Sequence, residues 1–438
     1  MMTTPKRSLP GPDDTHRHTL PNGLTILVRE NFASPAVVVN GYLEVGAEDE
    51  PAGQHGLAGF TTDVMQRGTH RRGFNALYEE VESIGAGFGI SSGTHLTSFG
   101  AKGLAEYLPV LLDILNDVLR SPSFPARQVE KVRTEIQTDL QERAHDTRRL
   151  ARLAFYELAY PNDHPYHWSQ MGYPDTITAI TREDLTAFYE TFFSPENMVI
   201  AVVGGIETEA AVEAIERIFG DWQKSRPPRT SAPPPPRLLA FKERRLTVHD
   251  KTQSNMVLGW PGPSRSHPDF IPCFVANTIL GVFGMYGRLG TRVREQHGLA
   301  YYVYSRLDGG CGPGPWRIIA GLDPANVRQG IELIEDELRR LRKDPVSHDE
   351  LEDTLSYLTG SLPLYLETNE GVARSLVNIE RHQLGLDYLQ TYAAMLRAVT
   401  LEQVQDAALR WLDVDHYALA VAGPEMPASP VDTIEDDR

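Results

Sequence analysis

A chain of 438 residues is longer than one hydrophobic core usually fills and suits two domains of roughly 200 residues each. Its 41% hydrophobic and 23% charged residues are those of an ordinary globular protein. A formal net charge of -17 repels a phosphate backbone or an anionic bilayer, so nucleic acid and membrane are excluded as partners, and basic or neutral ones are expected.

The first ten residues, Met1 to Pro10, are polar and proline-punctuated, with no apolar segment behind Lys6 and Arg7, so no signal peptide is expected. No run reaches the roughly 18 apolar residues that a membrane helix needs. A cytoplasmic location follows by default. His16 and His18 fall in what reads as an N-terminal arm. Thr19 to Val28 places Asn22-Gly23, a turn signal, directly before an apolar strand, and the valine-rich Pro35 to Leu43 reads as the next.

Gly56-Leu57-Ala58-Gly59-Phe60-Thr61-Thr62-Asp63-Val64-Met65-Gln66-Arg67-Gly68-Thr69 follows, and then a segment around Gly89-Ile90-Ser91-Ser92 that suits an exposed strand edge. Such an edge can hold an extended peptide by strand addition. Helical stretches are predicted at Leu104 to Leu119 and from Gln128 to Leu158. His164-Pro165-Tyr166-His167 spaces two histidines three apart, but the proline turn offers no helix face for a metal.

Thr181 is a predicted helix N-cap leading to the buried-strand pattern Asn197 to Gly204. Gln223 to Leu239 contains four consecutive prolines and reads as a stiff linker, which divides the chain into 1–222 and 240–438. Cys273 and Cys311 stand too far apart for a thiolate metal motif, and two cysteines make no disulfide framework. Beyond them comes Gly281-Val282-Phe283-Gly284-Met285-Tyr286-Gly287-Arg288-Leu289-Gly290-Thr291-Arg292-Val293-Arg294-Glu295-Gln296-His297-Gly298-Leu299-Ala300-Tyr301-Tyr302-Val303-Tyr304-Ser305. It lacks the Gly-Lys-Ser/Thr ending of a phosphate loop.

The two halves resemble one another. Thr400 begins a second capped helix, leading to the strand pattern His416 to Gly423; the offsets 400 − 181 and 423 − 204 both equal 219. Phe124 to Glu130 and Pro345 to Leu351 similarly open a long helix in each half. The economical reading is an α+β chain, a tandem duplication of a two-layer helix/sheet sandwich.

The 56–69 segment resembles the G-L-A-H-F-L-E-H-M-L-F-K-G-T motif of the pitrilysin or inverzincin zinc metallopeptidases, which include the mitochondrial processing peptidases. The framing residues match, but the positions that would carry the two histidines and the glutamate hold Gly59, Asp63 and Thr62. Gly59 has no side chain to donate, Thr62 is no base near neutral pH, and Asp63 alone is a poor anchor. The resemblance aligns Glu135 with the family's third ligand; it reads either as a relic of that ligand or as a solvated helix residue. Asp63 and Glu135 by themselves also make a poor calcium site. No metal or other cofactor is therefore expected in this chain.

The 281–305 segment is similar to the family's C-terminal signature. The resemblance implies that Arg294 and Tyr301 serve as the arginine and tyrosine that bind the scissile carbonyl, with Arg288 bracing the turn. Gly298 would end the helix carrying Arg294, and the following strand would present Tyr301 beside it. The resemblance implies the LuxS and processing-peptidase type of metallohydrolase fold. It also implies a non-metal subunit, inactive alone, in heterodimeric partnership with a zinc-bearing homologue that carries H-x-x-E-H, acting on unstructured peptides held along Gly89, Ile90 and Ser91. A catalytically inert structural or binding subunit is the alternative; an independent peptidase with another metal site is a third.

Overall fold

The computed structural model describes residues 9–229, 234, 235, 237–282 and 287–425. The middle of the glycine-rich turn, 283–286, and part of the proline segment thus lie outside the described residues. The eleven described strands form two sheets.

In the first sheet, β1 (His16–Thr19), β2 (Thr25–Glu30), β3 (Ala36–Leu43), β4 (Gly87–Ser92), β5 (Thr97–Leu104) and β6 (Val199–Gly204) lie in the order β1-β2-β6-β3-β5-β4. All neighbours are antiparallel except β2 and β6. In the second, β7 (Lys242–Thr247), β8 (Ser254–Pro261), β9 (Ala300–Gly309), β10 (Pro313–Leu322) and β11 (Ala418–Gly423) take the order β7-β11-β8-β10-β9, with β7 and β11 parallel. His16 and His18 are thus not in a loose arm: they lie in β1, paired with Val28 and Ile26.

The duplication is written in the register. Ile90 pairs with Phe99, Phe99 with Gly41, and Gly41 with Ile200. Ser305 pairs with Ile318, Ile318 with Leu258, and Leu258 with Leu419. Ile200 and Leu419 differ by the same 219 positions that relate Thr181 to Thr400. Both threonines cap their helices as expected, with Oγ1 accepting from the backbone N–H of Asp184 and Gln403, and both complete a capping box.

The chain divides into two compact units, and neither follows one half of the sequence. The first draws its described residues from Met1–Leu140, Ser169–Ser231 and Leu358–Met395. Alternate residues of its strands face opposite ways. Ile26, Val28, Ile200 and Val202 join Leu57, Phe60, Leu112, Leu115, Leu185 and Ile215 of the N-terminal half's helices in one core. Leu27, Val38, Val199, Ala201 and Val203 point to the other face, where helix Asn369–Arg381 covers them with Val372, Ala373, Leu376 and Val377. That is why every residue of β6 is buried.

The second unit draws on Gln141–Trp168, Ala232–Tyr357 and Leu396–Arg438. Here helix Thr147–Ala159 lays Ala151, Ala154, Phe155 and Ala159 on Val257, Ile319, Ala418, Ala420 and Ala422. The predicted helix 128–158 is therefore two helices. Asp146 breaks it by accepting the N–H groups of Arg148 and Arg149 at 2.9 and 3.0 Å, starting a new helix at Thr147.

The start of the proline segment is held by charge. Arg226 Nη2 meets Asp49 Oδ1 at 2.9 Å, and Arg229 bonds Asp49, Glu48 (2.6 Å) and the carbonyls of His95 and Glu44 (2.9 and 3.1 Å). Asp49 is 5% exposed at its side chain, so removing Arg229 leaves this buried carboxylate with Arg226 as its one cation and strips the Arg229 charge from Glu48. Arg229→Ala should cost about 3 kcal/mol in urea unfolding, and limited proteolysis should then cut first within 223–239; an unchanged midpoint and cleavage pattern would dismiss the anchoring role.

Candidate functional site

The degenerate motif lies on helix Leu57–Met65 in the first unit. Glu50 caps this helix: its carboxylate accepts from Ala58 N at 2.9 Å and Gly56 N at 3.2 Å. Burial pushes Glu50 up to about 8, against the pull of those two N–H groups.

Each motif position is then accounted for. Gly59 offers only backbone, and its carbonyl accepts the Thr62 hydroxyl at 2.9 Å. Thr62 is buried and its hydroxyl is spent on that bond. Asp63 reaches solvent, yet burial of part of its carboxylate raises it to about 6; Arg67 opposes this, while Glu135 and Asp139 add repulsion. Arg67 donates to Glu135 at 2.6 Å and lies over the Phe74 ring at 5.3 Å.

Glu135 is thus ion-paired, and a guanidinium stands among the carboxylates where the resemblance would place a metal. These donors do not fit zinc: one position has no side chain, one hydroxyl is consumed, and the remaining carboxylates face Arg67. Nor do the other histidines form a site. His164 accepts from the Tyr166 backbone N–H at 3.1 Å as a turn cap. Among the described residues, the one group of three ligating side chains is Glu30, Glu207 and Glu209, all exposed, and Glu30 is occupied capping the helix that begins at Thr208.

The second candidate lies in the second unit. Gly290–Gln296 is a π-helical segment, a wide winding that is uncommon outside functional positions. It closes as expected at Gly298, whose φ of +65° suits glycine; its N–H bonds Arg294 O and the next N–H bonds Val293 O, each at 3.0 Å. The chain then enters β9, the edge strand.

At that point β10 advances one residue, from Gly321 to Leu322, while β9 advances two, from Tyr302 to Ala300. Tyr301 is the extra residue, and such a bulge re-aims a side chain. Its ring is 65% exposed.

The arginines around this segment divide by partner. Arg288 forks onto Glu350 at 2.8 and 3.0 Å, which agrees with a bracing role. Arg292 reaches Asp336 at 3.1 Å. Buried Glu337 is ringed by Arg288, Arg292 and Arg340 at 3.6 to 3.8 Å, and its burial raises it despite them. These residues line a polar cavity of about 470 Å³ behind the π-helix. Arg294 is different: it is exposed, and neither its side chain nor that of Tyr301 makes a hydrogen bond or ion pair with another described residue.

Gly89, Ile90 and Ser91 lie in β4, the free edge of the first sheet, as expected. The outward N–H and C=O of Ile90, however, are taken by the side-chain amide of Gln66, at 3.1 and 2.8 Å. Neither Gln66 nor Arg67 was singled out from sequence. Arg67 stands where the motif has lysine, a signal that was present; Gln66 gave none, since its partner lies 24 residues away.

Comparison with known families agrees with these features. Residues 25–165 match the insulinase model of peptidase family M16, and residues 179–358 match the model described as the peptidase M16 inactive domain. The chain belongs to peptidase family M16. A Bacillus subtilis protein described as an uncharacterized zinc protease is 26% identical over 93% of this chain and 98% of its own length. A probable mitochondrial-processing peptidase subunit beta of Arabidopsis thaliana is 28% identical over 61% of this chain and 50% of that protein. The crystal structure of an M16 inactive domain from Pseudomonas fluorescens superposes with a TM-score of 0.88 at 23% identity, covering 95% of this chain and 99% of that one. A protease from Helicobacter pylori gives 0.88 at 19% identity, covering 95% and 100%. The M16 fold is therefore kept over 95% of this chain, while positions 59, 62 and 63 of the motif helix hold Gly, Thr and Asp.

Two outcomes are expected. Zinc bound to the purified M16 chain should stay well below one ion per chain by elemental analysis, and a full equivalent surviving dialysis would contradict the donor set above. Glu50 loses its proton near pH 4.5 when unfolded but only near pH 8 when folded, so its contribution to stability is full below about pH 4.5 and fades as the pH rises through about 8. Glu50→Gln keeps an acceptor for Gly56 and Ala58, and should flatten that part of the urea-midpoint profile; a slope identical to wild type would refute the assignment.

Proposed function

We propose that this M16 chain is the non-metal subunit of a heteromeric zinc peptidase. A homologous chain bearing H-x-x-E-H would hold the zinc, whose chemistry is to polarise the scissile carbonyl and activate water. Arg294 and Tyr301 would supply the donors. Attack on a peptide carbonyl moves negative charge onto oxygen, and donors aimed there are worth roughly 3 to 4 kcal/mol each. Arginine brings a charged fork and tyrosine one hydroxyl.

The observation that carries this reading is the division of labour among the arginines. Arg288 and Arg292 are spent on carboxylates, while Arg294 and Tyr301, separated by one glycine-closed turn and a bulge, stand exposed and uncommitted. A chain used only as a scaffold has no need to hold a cation and a phenol free in this way. An unstructured peptide would enter as an extra strand, with β4 around Gly89 to Ser91 as the edge. No described helix is long and apolar enough to cross a membrane. We place the pair in the cytoplasm, where a chain with one buried and one exposed cysteine has no need of a disulfide.

The test is to mix the chain with a zinc-bearing M16 homologue and follow cleavage of unstructured peptides. Activity is expected only in the mixture. Arg294→Ala or Tyr301→Phe should lower kcat by about 10²- to 10³-fold with folding intact. If both variants cleave like wild type, the assigned roles are wrong, and the inert-subunit alternative takes their place.

A further inference from the structure

Neighbouring residues of an antiparallel strand turn their backbone groups alternately toward the partner strand and away from it. In β4 the residues whose groups face away from β5 are those in step with Ile90, since both groups of Ile90 bond to something other than β5. An added strand would need this N–H and C=O pair at the centre of the edge. Gln66 already holds both: Oε1 accepts from Ile90 N–H at 3.1 Å, and Nε2 donates to Ile90 C=O at 2.8 Å.

A carboxamide presents one acceptor and one donor side by side, as the N–H and C=O of a single strand residue do. Gln66 therefore imitates one residue of an added strand. A third bond, from Nε2 to Thr62 C=O at 3.1 Å, ties the amide back to its own helix, so both N–H donors of the side chain are used. The backbone of Gln66 is the C-cap of the motif helix, in ordinary αR geometry with its N–H on Val64 O. Rotation about side-chain bonds alone would release Ile90. The register partner of Ile90 in the other sheet, Ser305, is met differently: Gly281 approaches its backbone N so closely that a Cβ there would lie 2.6 Å away. The amide plug thus belongs to the half that lost its zinc positions.

We propose that Gln66 is an intramolecular plug that closes the peptide-binding edge of β4 at Ile90, so that an unstructured peptide binds there only by displacing it. The proposal rests on the reading of β4 as a peptide edge. It predicts weak strand addition by the wild-type chain and stronger addition once the amide is removed.

The experiment uses the full chain alone, without a zinc-bearing partner, so that no cleavage intervenes. Anisotropy of a fluorescein-labelled unstructured dodecapeptide is measured against wild type, Gln66→Ala and Gln66→Glu, with thermal melts to confirm folding. Gln66→Ala should bind about tenfold more tightly, the effect of removing roughly two competing net hydrogen bonds. The gain should vanish for the same peptide N-methylated at alternate amides, which cannot pair as a strand. Gln66→Glu, whose carboxylate cannot donate to Ile90 C=O at neutral pH, should gain in the same direction, and it stands in if the alanine variant fails to fold. Equal or weaker binding by the folded variants, or a gain that survives N-methylation, overturns the plug. Failure of Arg294 and Tyr301 in the mixed assay leaves this result untouched, so the two ideas fail separately.

Discussion

A central strand that carries apolar side chains on both faces forces a cover onto each of them, and β6 and β11 are such strands, buried at every residue. In each unit the local helices cover one face. The other receives a single helix drawn from the opposite half of the sequence: Asn369–Arg381 on the first sheet and Thr147–Ala159 on the second. Leaving either face wet would expose several Val, Leu or Ala side chains at once, at roughly 25 cal/mol per Å². The exchange therefore fixes the path of the chain more firmly than the proline segment does. It also decides which backbone remains available, because helices cover faces and not edges. β4 and β9 end their sheets, and both candidate regions lie on or beside them.

Around the motif helix, carboxylates are balanced by an arginine. A zinc site concentrates negative charge and lone pairs, and removing the ion leaves carboxylates that repel one another. Here burial pushes Asp63 up to about 6, Arg67 pulls the other way as the positive charge among the carboxylates, and Glu135 and Asp139 add a smaller repulsion. Thr62 has turned its hydroxyl to the helix backbone. The carboxylates and Arg67 therefore form a local network with its own charge balance, and histidines placed at 59 and 63 would leave Arg67 within it.

Much of this was legible beforehand, for identifiable reasons. The strands at Ala36–Leu43, Val199–Gly204 and Ala418–Gly423 announce themselves as apolar runs, and Thr181 and Thr400 as capping boxes, because both signals are local. Arg294 and Tyr301 were singled out by the resemblance to the family's C-terminal signature, and the local part of that reading, Gly298 closing the preceding helix, is what the backbone shows. What stayed hidden is nonlocal. Nothing in Asn369–Arg381 says which sheet it covers, and the break at Asp146 competes with a helical pattern that runs through it. The Gln66 bond to Ile90 depends on β4 coming to lie beside the end of the motif helix, which no window of sequence contains.

The same contrast separates side chains that the fold needs from side chains that it does not. Fold retention alone would preserve Arg288 and Arg292, because their carboxylate partners brace the π-helix around buried Glu337. It would preserve Gly298, because only glycine takes that φ without strain. It gives no reason to keep an arginine at 294, since an exposed arginine with no ion-pair partner adds little to stability. Holding a π-helix and a β-bulge, both departures from regular pairing, at the two positions that present these side chains has a small cost that the fold itself does not require. The structure spends its other nearby arginines on ion pairs and leaves Arg294 and Tyr301 exposed, an arrangement that fold stability alone does not account for.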